Sequence, residues 1–105
     1  MKIISLTYNP FSENTYLIAG EKGSCIIIDA GVSNSIEEKH LFETIESLGL
    51  SPVRHLLTHA HIDHVLGCRA VFDKYNLVPE CHPDSVAVFE AGPTVSQMYG
   101  IPYMP

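Results

Sequence analysis

The stretch Val53-Arg54-His55-Leu56-Leu57-Thr58-His59-Ala60-His61-Ile62-Asp63-His64 decides how this chain is read. Its last six residues hold three imidazoles and one carboxylate, donors that suit divalent transition metals. A hydrophobic core has no use for such a density, because polar rings gain nothing from joint burial. In an extended segment His59, His61 and Asp63 share a face, since alternate side chains point the same way. His64 then approaches from a turn or from a helix start, and two directions of approach suit two adjacent metals better than one.

The flanks place this cluster in a fold. The apolar run before it predicts a buried strand over 53–58. After it, apolar residues at 65, 68, 71, 72 and 75 have helical spacing and predict a helix over 65–75. The donors therefore fall in a loop between the carboxyl end of a strand and a helix, the usual position of a site in an open α/β sheet.

Upstream, residues 2–8 predict a strand, 9–12 a loop, and 14–19 with 24–29 a hairpin about Glu21-Lys22-Gly23. Cys25-Ile26-Ile27-Ile28 is apolar without alternation, as in a strand covered on both faces. Ser35 with Glu38 forms a capping box, and Leu41, Phe42, Ile45 and Leu48 make an apolar helical stripe. Gly49 suits the left-handed residue after that helix, and Pro52 prevents its resumption. Downstream, 77–82 predicts a short strand and 84–91 a helix, followed by an extended tail containing Tyr99 and Tyr103. Strand–helix alternation after residue 24 indicates an α/β fold in one domain.

Three groups of residues now resemble one family. Thr58-His59-Ala60-His61-Ile62-Asp63-His64 resembles the H-x-H-x-D-H signature of the metallo-β-lactamase superfamily. Ile28-Asp29-Ala30-Gly31 resembles its strand-ending D-x-G element, and the stretch from Asn9 to Ile18 resembles the opening of its glyoxalase II-like hydrolases. The resemblance implies an αββα sandwich, of which 1–105 is expected to carry the amino-terminal half, with the second half absent. It implies two zinc ions in the complete domain, with iron or manganese as alternatives. His59 and His61 would hold one ion, Asp63 and His64 the other, and Asp63 would take up the proton of the attacking water. Asp29 is expected to orient a ligand or the loop rather than bind metal. The implied activity is hydrolysis of a small thioester or ester by metal-bound hydroxide. With four ligands divided between two ions, this chain alone is expected to bind metal weakly and to turn over poorly. The alternative is a non-catalytic half-domain that binds metal weakly and self-associates.

Twelve acidic against six basic residues give a formal charge of −6, which argues against nucleic-acid or anionic-membrane partners. Three cysteines without C-x-x-C spacing argue against a disulfide framework and fit a reducing, cytoplasmic compartment. Cys25 and Cys68 read as small core residues. The amino terminus lacks signal-peptide character, and no apolar run approaches membrane-spanning length. His40 is expected to face solvent, and His55 and His82 to be structural or solvent-facing. An apolar sheet face left uncovered predicts a homo-oligomer.

Overall fold

A computed structural model of the chain describes residues 2–58 and 66–81. They form β1 (Lys2–Tyr8), β2 (Glu13–Ala19), β3 (Ser24–Ile28), α1 (Ser35–Ser47), β4 (Ser51–Leu56), α2 (Cys68–Tyr75) and β5 (Pro79–Glu80). The strands make one mixed sheet in the order β1-β2-β3-β4-β5. The first three are antiparallel neighbours, whereas β4 runs parallel to β3 and β5 parallel to β4. The expected hairpin is present, with Tyr16 opposite Ile28 and Ala19 opposite Cys25.

Alternation along the strands sorts the side chains onto two faces. Tyr8, Leu17 and Ile27 point to one side, where Leu41 and Ile45 of α1 and Val71 of α2 close the core. Leu17, Ile27, Leu41, Ile45 and Val71 are wholly buried, each worth about 1.5–3 kcal/mol relative to exposure. On the opposite face Tyr16, Ile18, Ile26, Ile28 and Leu56 are half-buried, and Ile3 is 61% exposed. The unbroken apolar run of β3 thus divides, with Cys25 and Ile27 in the core and Ile26 and Ile28 on this second apolar face.

Several boundaries differ from the sequence reading for identifiable reasons. Helix α1 is capped by Asn34, whose Oδ1 accepts from the Glu37 amide at 2.8 Å, and not by Ser35 with Glu38. Both pairs satisfy the local pattern. Tertiary contact chooses between them, because the Glu37 carboxylate also accepts from the amides of Ser33 (2.7 Å) and Asn9 (2.8 Å). At the other end Gly49 has the expected left-handed φ of 68°, and its amide and that of Leu50 close a Schellman turn on Glu46 and Ile45. Leu48 of the expected stripe is 43% exposed, since the helix stops before its side chain can turn inward.

Strand β4 spans 51–56 rather than 53–58. Pro52 stops the helix from resuming but enters the strand, beside a register irregularity between Cys25 and Ile26 that accommodates it. Leu57 and Thr58 leave the β3 ladder because their amides bond elsewhere, to the Glu80 carbonyl and the Asp29 carboxylate. The described part of the second helix begins at Cys68, after a turn at Leu66 and Gly67, and β5 is limited to Pro79–Glu80. The expected helix over 84–91 and the tail tyrosines lie outside the described residues. Among the described residues no helix is long and apolar enough to cross a membrane.

Candidate functional site

The parallel strands β3 and β4 end side by side at Ile28 and Leu56, and the turn Asp29-Ala30-Gly31 sits directly beyond them. Asp29 has φ +55°, a left-handed conformation that Asp tolerates better than most residues. The turn is buried, so each of its backbone polar groups must find a partner. Asp29 donates to the Leu56 carbonyl at 3.0 Å and accepts from the Thr15 hydroxyl at 2.9 Å. Ala30 donates to His55 Nε2 at 3.3 Å and accepts from the Gly67 amide at 2.8 Å. Gly31 donates to Thr15 Oγ1 at 3.0 Å and accepts from the Asn9 side-chain amide at 2.9 Å. Three strands, the β1–β2 loop and the start of α2 therefore all converge on three residues.

The Asp29 carboxylate reaches across to Thr58. Oδ1 accepts the Thr58 amide at 2.8 Å, and Oδ2 accepts the Thr58 hydroxyl. Thr58 immediately precedes His59, and Gly67 comes three positions after His64. Thr58 and Gly67 are thus both bonded to one turn, the first through the Asp29 side chain and the second through the Ala30 carbonyl. Gly67 has to be glycine, since a Cβ there would lie 2.7 Å from the Ala30 oxygen and 2.7 Å from Val32 Cγ2.

His55 is wholly buried beneath the turn. Burial pushes its imidazole down to about 4, partly offset by the negative charge of Asp29, so the ring is neutral at pH 7. Because Nε2 accepts from Ala30, the proton sits on Nδ1, which has no hydrogen-bond partner among the described residues. This settles its expected position as structural. His40 is exposed, as expected, but its Nδ1 also meets the Tyr8 hydroxyl at 2.8 Å.

All three cysteines are free, with Cys25 and Cys68 buried and Cys81 half-buried. Burial raises the Cys68 thiol to about 12, helped by the nearby Asp29 and Cys81. Cys68 and Cys81 line an apolar cavity of about 350 Å³ together with Leu57, Phe72, Val78 and Pro79.

His59, His61, Asp63 and His64 lie outside the described residues, as does His82. Among the described residues no cluster of three His, Cys, Asp or Glu side chains could hold a metal ion. The Asp29 carboxylate bonds Thr58, the residue before His59. Thr15, Thr58 and Gly67 were not singled out from sequence. For Thr15 a signal existed: alternation puts its hydroxyl inward beside Leu17 and Ala19, where a polar group needs a partner.

A family model described as the metallo-beta-lactamase superfamily matches residues 8–100. A hydroxyacylglutathione hydrolase of Buchnera aphidicola subsp. Baizongia pistaciae is 40% identical over 75 residues, covering 71% of this chain and 28% of that protein. One from Serratia proteamaculans is 33% identical over 88 residues, covering 83% of this chain and 32% of its own length. Among solved structures, TTHA1623 in a di-iron-bound form superposes with a TM-score of 0.80 at 31% identity, over 97% of this chain and 50% of that one. The BLEG-1 B3 metallo-beta-lactamase, at 23% identity and a TM-score of 0.77, covers 98% of this chain and 48% of its own and shares the fold. The chain spans about a third of the length of these curated relatives and about half that of these structures. Its α/β arrangement corresponds to an amino-terminal portion of their sandwich.

Proposed function

Because the chain belongs to the metallo-β-lactamase superfamily, we propose that it carries the metal-holding loop of a metal-dependent hydrolase acting on a small thioester, in the manner of glyoxalase II. The observation that carries this reading is the bonding of both Thr58 and Gly67 to the Asp29–Gly31 turn, at the carboxyl ends of two parallel strands. The bonds hold the described residues on either side of a stretch whose sequence supplies four metal donors within six residues.

The donor chemistry fits zinc, and imidazole with carboxylate also suits iron or manganese. The di-iron form of the similar TTHA1623 supports iron as a candidate. In this reading His59 and His61 hold one ion and Asp63 and His64 the second. Asp63 also accepts the proton of the attacking water. When bound, the ions would supply Lewis acidity and activate water at neutral pH. Asp29 orients the segment after Thr58 rather than binding metal in this reading, which its two hydrogen bonds to Thr58 support. A catalytic zinc usually keeps three protein ligands, so two ions draw on donors beyond 59–64.

The thioester assignment is supported by the hydroxyacylglutathione hydrolases among the relatives. Three free cysteines support a reducing, cytoplasmic setting, and the acidic balance supports a small molecule rather than nucleic acid as partner. A homo-oligomer joined through the second sheet face, where Ile3 and Val53 are exposed, belongs to the same reading. Sedimentation equilibrium at micromolar concentration checks it, and a monomer would remove it.

The function is tested on the full-length protein with added zinc against a thioester, a lactone and a phosphodiester. Thioester turnover is expected, with metal content and rate both reduced in His59→Ala and His61→Ala. Asp63→Asn should depress rate more than stability. Absence of metal-dependent turnover across the panel would sink the proposal.

A further inference from the structure

A buried hydroxyl on β2 grips the Asp29–Gly31 turn. Thr15 is wholly buried on β2, facing the carboxyl ends of β3 and β4. Its Oγ1 accepts the Gly31 amide at 3.0 Å and donates its single proton to the Asp29 carbonyl at 2.9 Å, with Glu13 Oε2 at 3.1 Å as a second acceptor. A hydroxyl is both donor and acceptor, so it can bridge an N–H and a C=O across one turn. Branching at Cβ restricts its χ1, so the bridge loses little rotamer freedom.

We propose that Thr15 is a positioning residue for the donor loop: by bridging Asp29 and Gly31 it holds the turn from which Thr58 and Gly67 both hang, so that the two anchors open only together. This deepens the proposed function and rests on it for the consequence at the metal. The step from hydroxyl to loop is short. Asp29 sits at φ +55°, a conformation that needs its surroundings to maintain it. The Thr15 bond to the Asp29 carbonyl fixes the peptide plane that follows the residue, and with it the direction of the carboxylate towards Thr58. The Ala30 carbonyl that accepts from Gly67 lies between the two groups that Thr15 bridges. Removing the hydroxyl leaves the Gly31 amide and the Asp29 carbonyl buried without this partner, and the turn must shift to satisfy them.

The test uses the full-length protein as wild type, Thr15→Val, which keeps the shape and loses the hydroxyl, and Thr15→Ser, which keeps the hydroxyl. Two quantities are read: amide hydrogen exchange in metal-free protein, and zinc affinity by competition with a chelator. In the wild type, the amides of Thr58 and Gly67 should report the same opening equilibrium. In Thr15→Val both should lose protection together, while the β1–β2 ladder distant from the turn, around Lys2 and Ala19, keeps its own. Zinc affinity should fall about 10-fold or more, the usual effect of losing a group that orients metal ligands, and Thr15→Ser should restore it. A purely structural threonine would lower global stability without changing the zinc affinity of the folded molecules. Unchanged affinity in Thr15→Val, or protection lost at Gly31 but kept at Thr58 and Gly67, would overturn the inference. If the wild type binds no zinc, the proposed function fails, and the exchange data still decide whether Thr15 holds the two anchors. Should Thr15→Val not fold, different opening equilibria for Thr58 and Gly67 in the wild type would overturn the inference, and a shared one with rescue of zinc binding by Thr15→Ser would uphold it.

Discussion

Acid should destabilise this protein through one histidine. The His55 imidazole is wholly buried, and burial holds it near 4 in the folded chain against about 6.5 when unfolded. Between those values the unfolded chain takes up a proton that the native state refuses, so stability falls as pH falls. The contribution is intact above about 6.5, declines through that window, and levels off below about 4, where the native ring also protonates. At about 1.4 kcal/mol per pH unit the gap amounts to roughly 3 kcal/mol. About 2 kcal/mol of that is lost by pH 5, a large fraction of the 5–15 kcal/mol typical of a domain. Urea unfolding of metal-free wild type and His55→Gln from pH 7.5 to 4 measures it, because the difference between the two curves cancels the other titrating groups. The wild type should lose roughly 3 kcal/mol more than the variant across the range. An imidazole titration followed by NMR should place His55 well below the ordinary imidazole value. Parallel stability curves, or a His55 midpoint near 6.5, would refute the argument from burial.

Gly67→Ala should destabilise by about 1–3 kcal/mol, because the new methyl meets the Ala30 carbonyl, which is backbone and cannot swing away; an unchanged thermal midpoint would contradict the close approach. Asn34→Ala should cost about 1 kcal/mol by loss of the cap on α1. Ser35→Ala should stay within about 0.5 kcal/mol, so equal effects in the two would mean that the cap is misassigned. Three thiols should titrate in the denatured, unreduced protein. In the native state half-buried Cys81 should react with a thiol reagent well before Cys25 and Cys68, and a Cys68 that reacts as fast as Cys81 would contradict its burial.

Much of the fold and part of the site are legible in the sequence because they depend on neighbours along the chain. Alternation and turn residues suffice for the β2–β3 hairpin, and the apolar spacing of Leu41 and Ile45 with Gly49 behind them suffices for α1 and its end. The donors His59, His61, Asp63 and His64 stand out because they occur within six residues, a concentration that core packing does not need. What the sequence leaves open are choices between locally equivalent options. Asn34 and Ser35 both offer a cap, and only the reach of Glu37 to Asn9 selects the first. Asp29 reads in the sequence as orienting either a ligand or the loop, and only the folded chain brings Thr58, 29 residues away, against its carboxylate. Thr15 and Gly67 are unremarked in one dimension and His55 reads only as structural or solvent-facing, yet they meet at the Asp29–Gly31 turn because the start of β2, the end of β4 and the start of α2 lie together there. Buried backbone groups must be paired by whatever the topology brings within reach. Such partners are distant in sequence and close in space, so the tertiary structure alone identifies them.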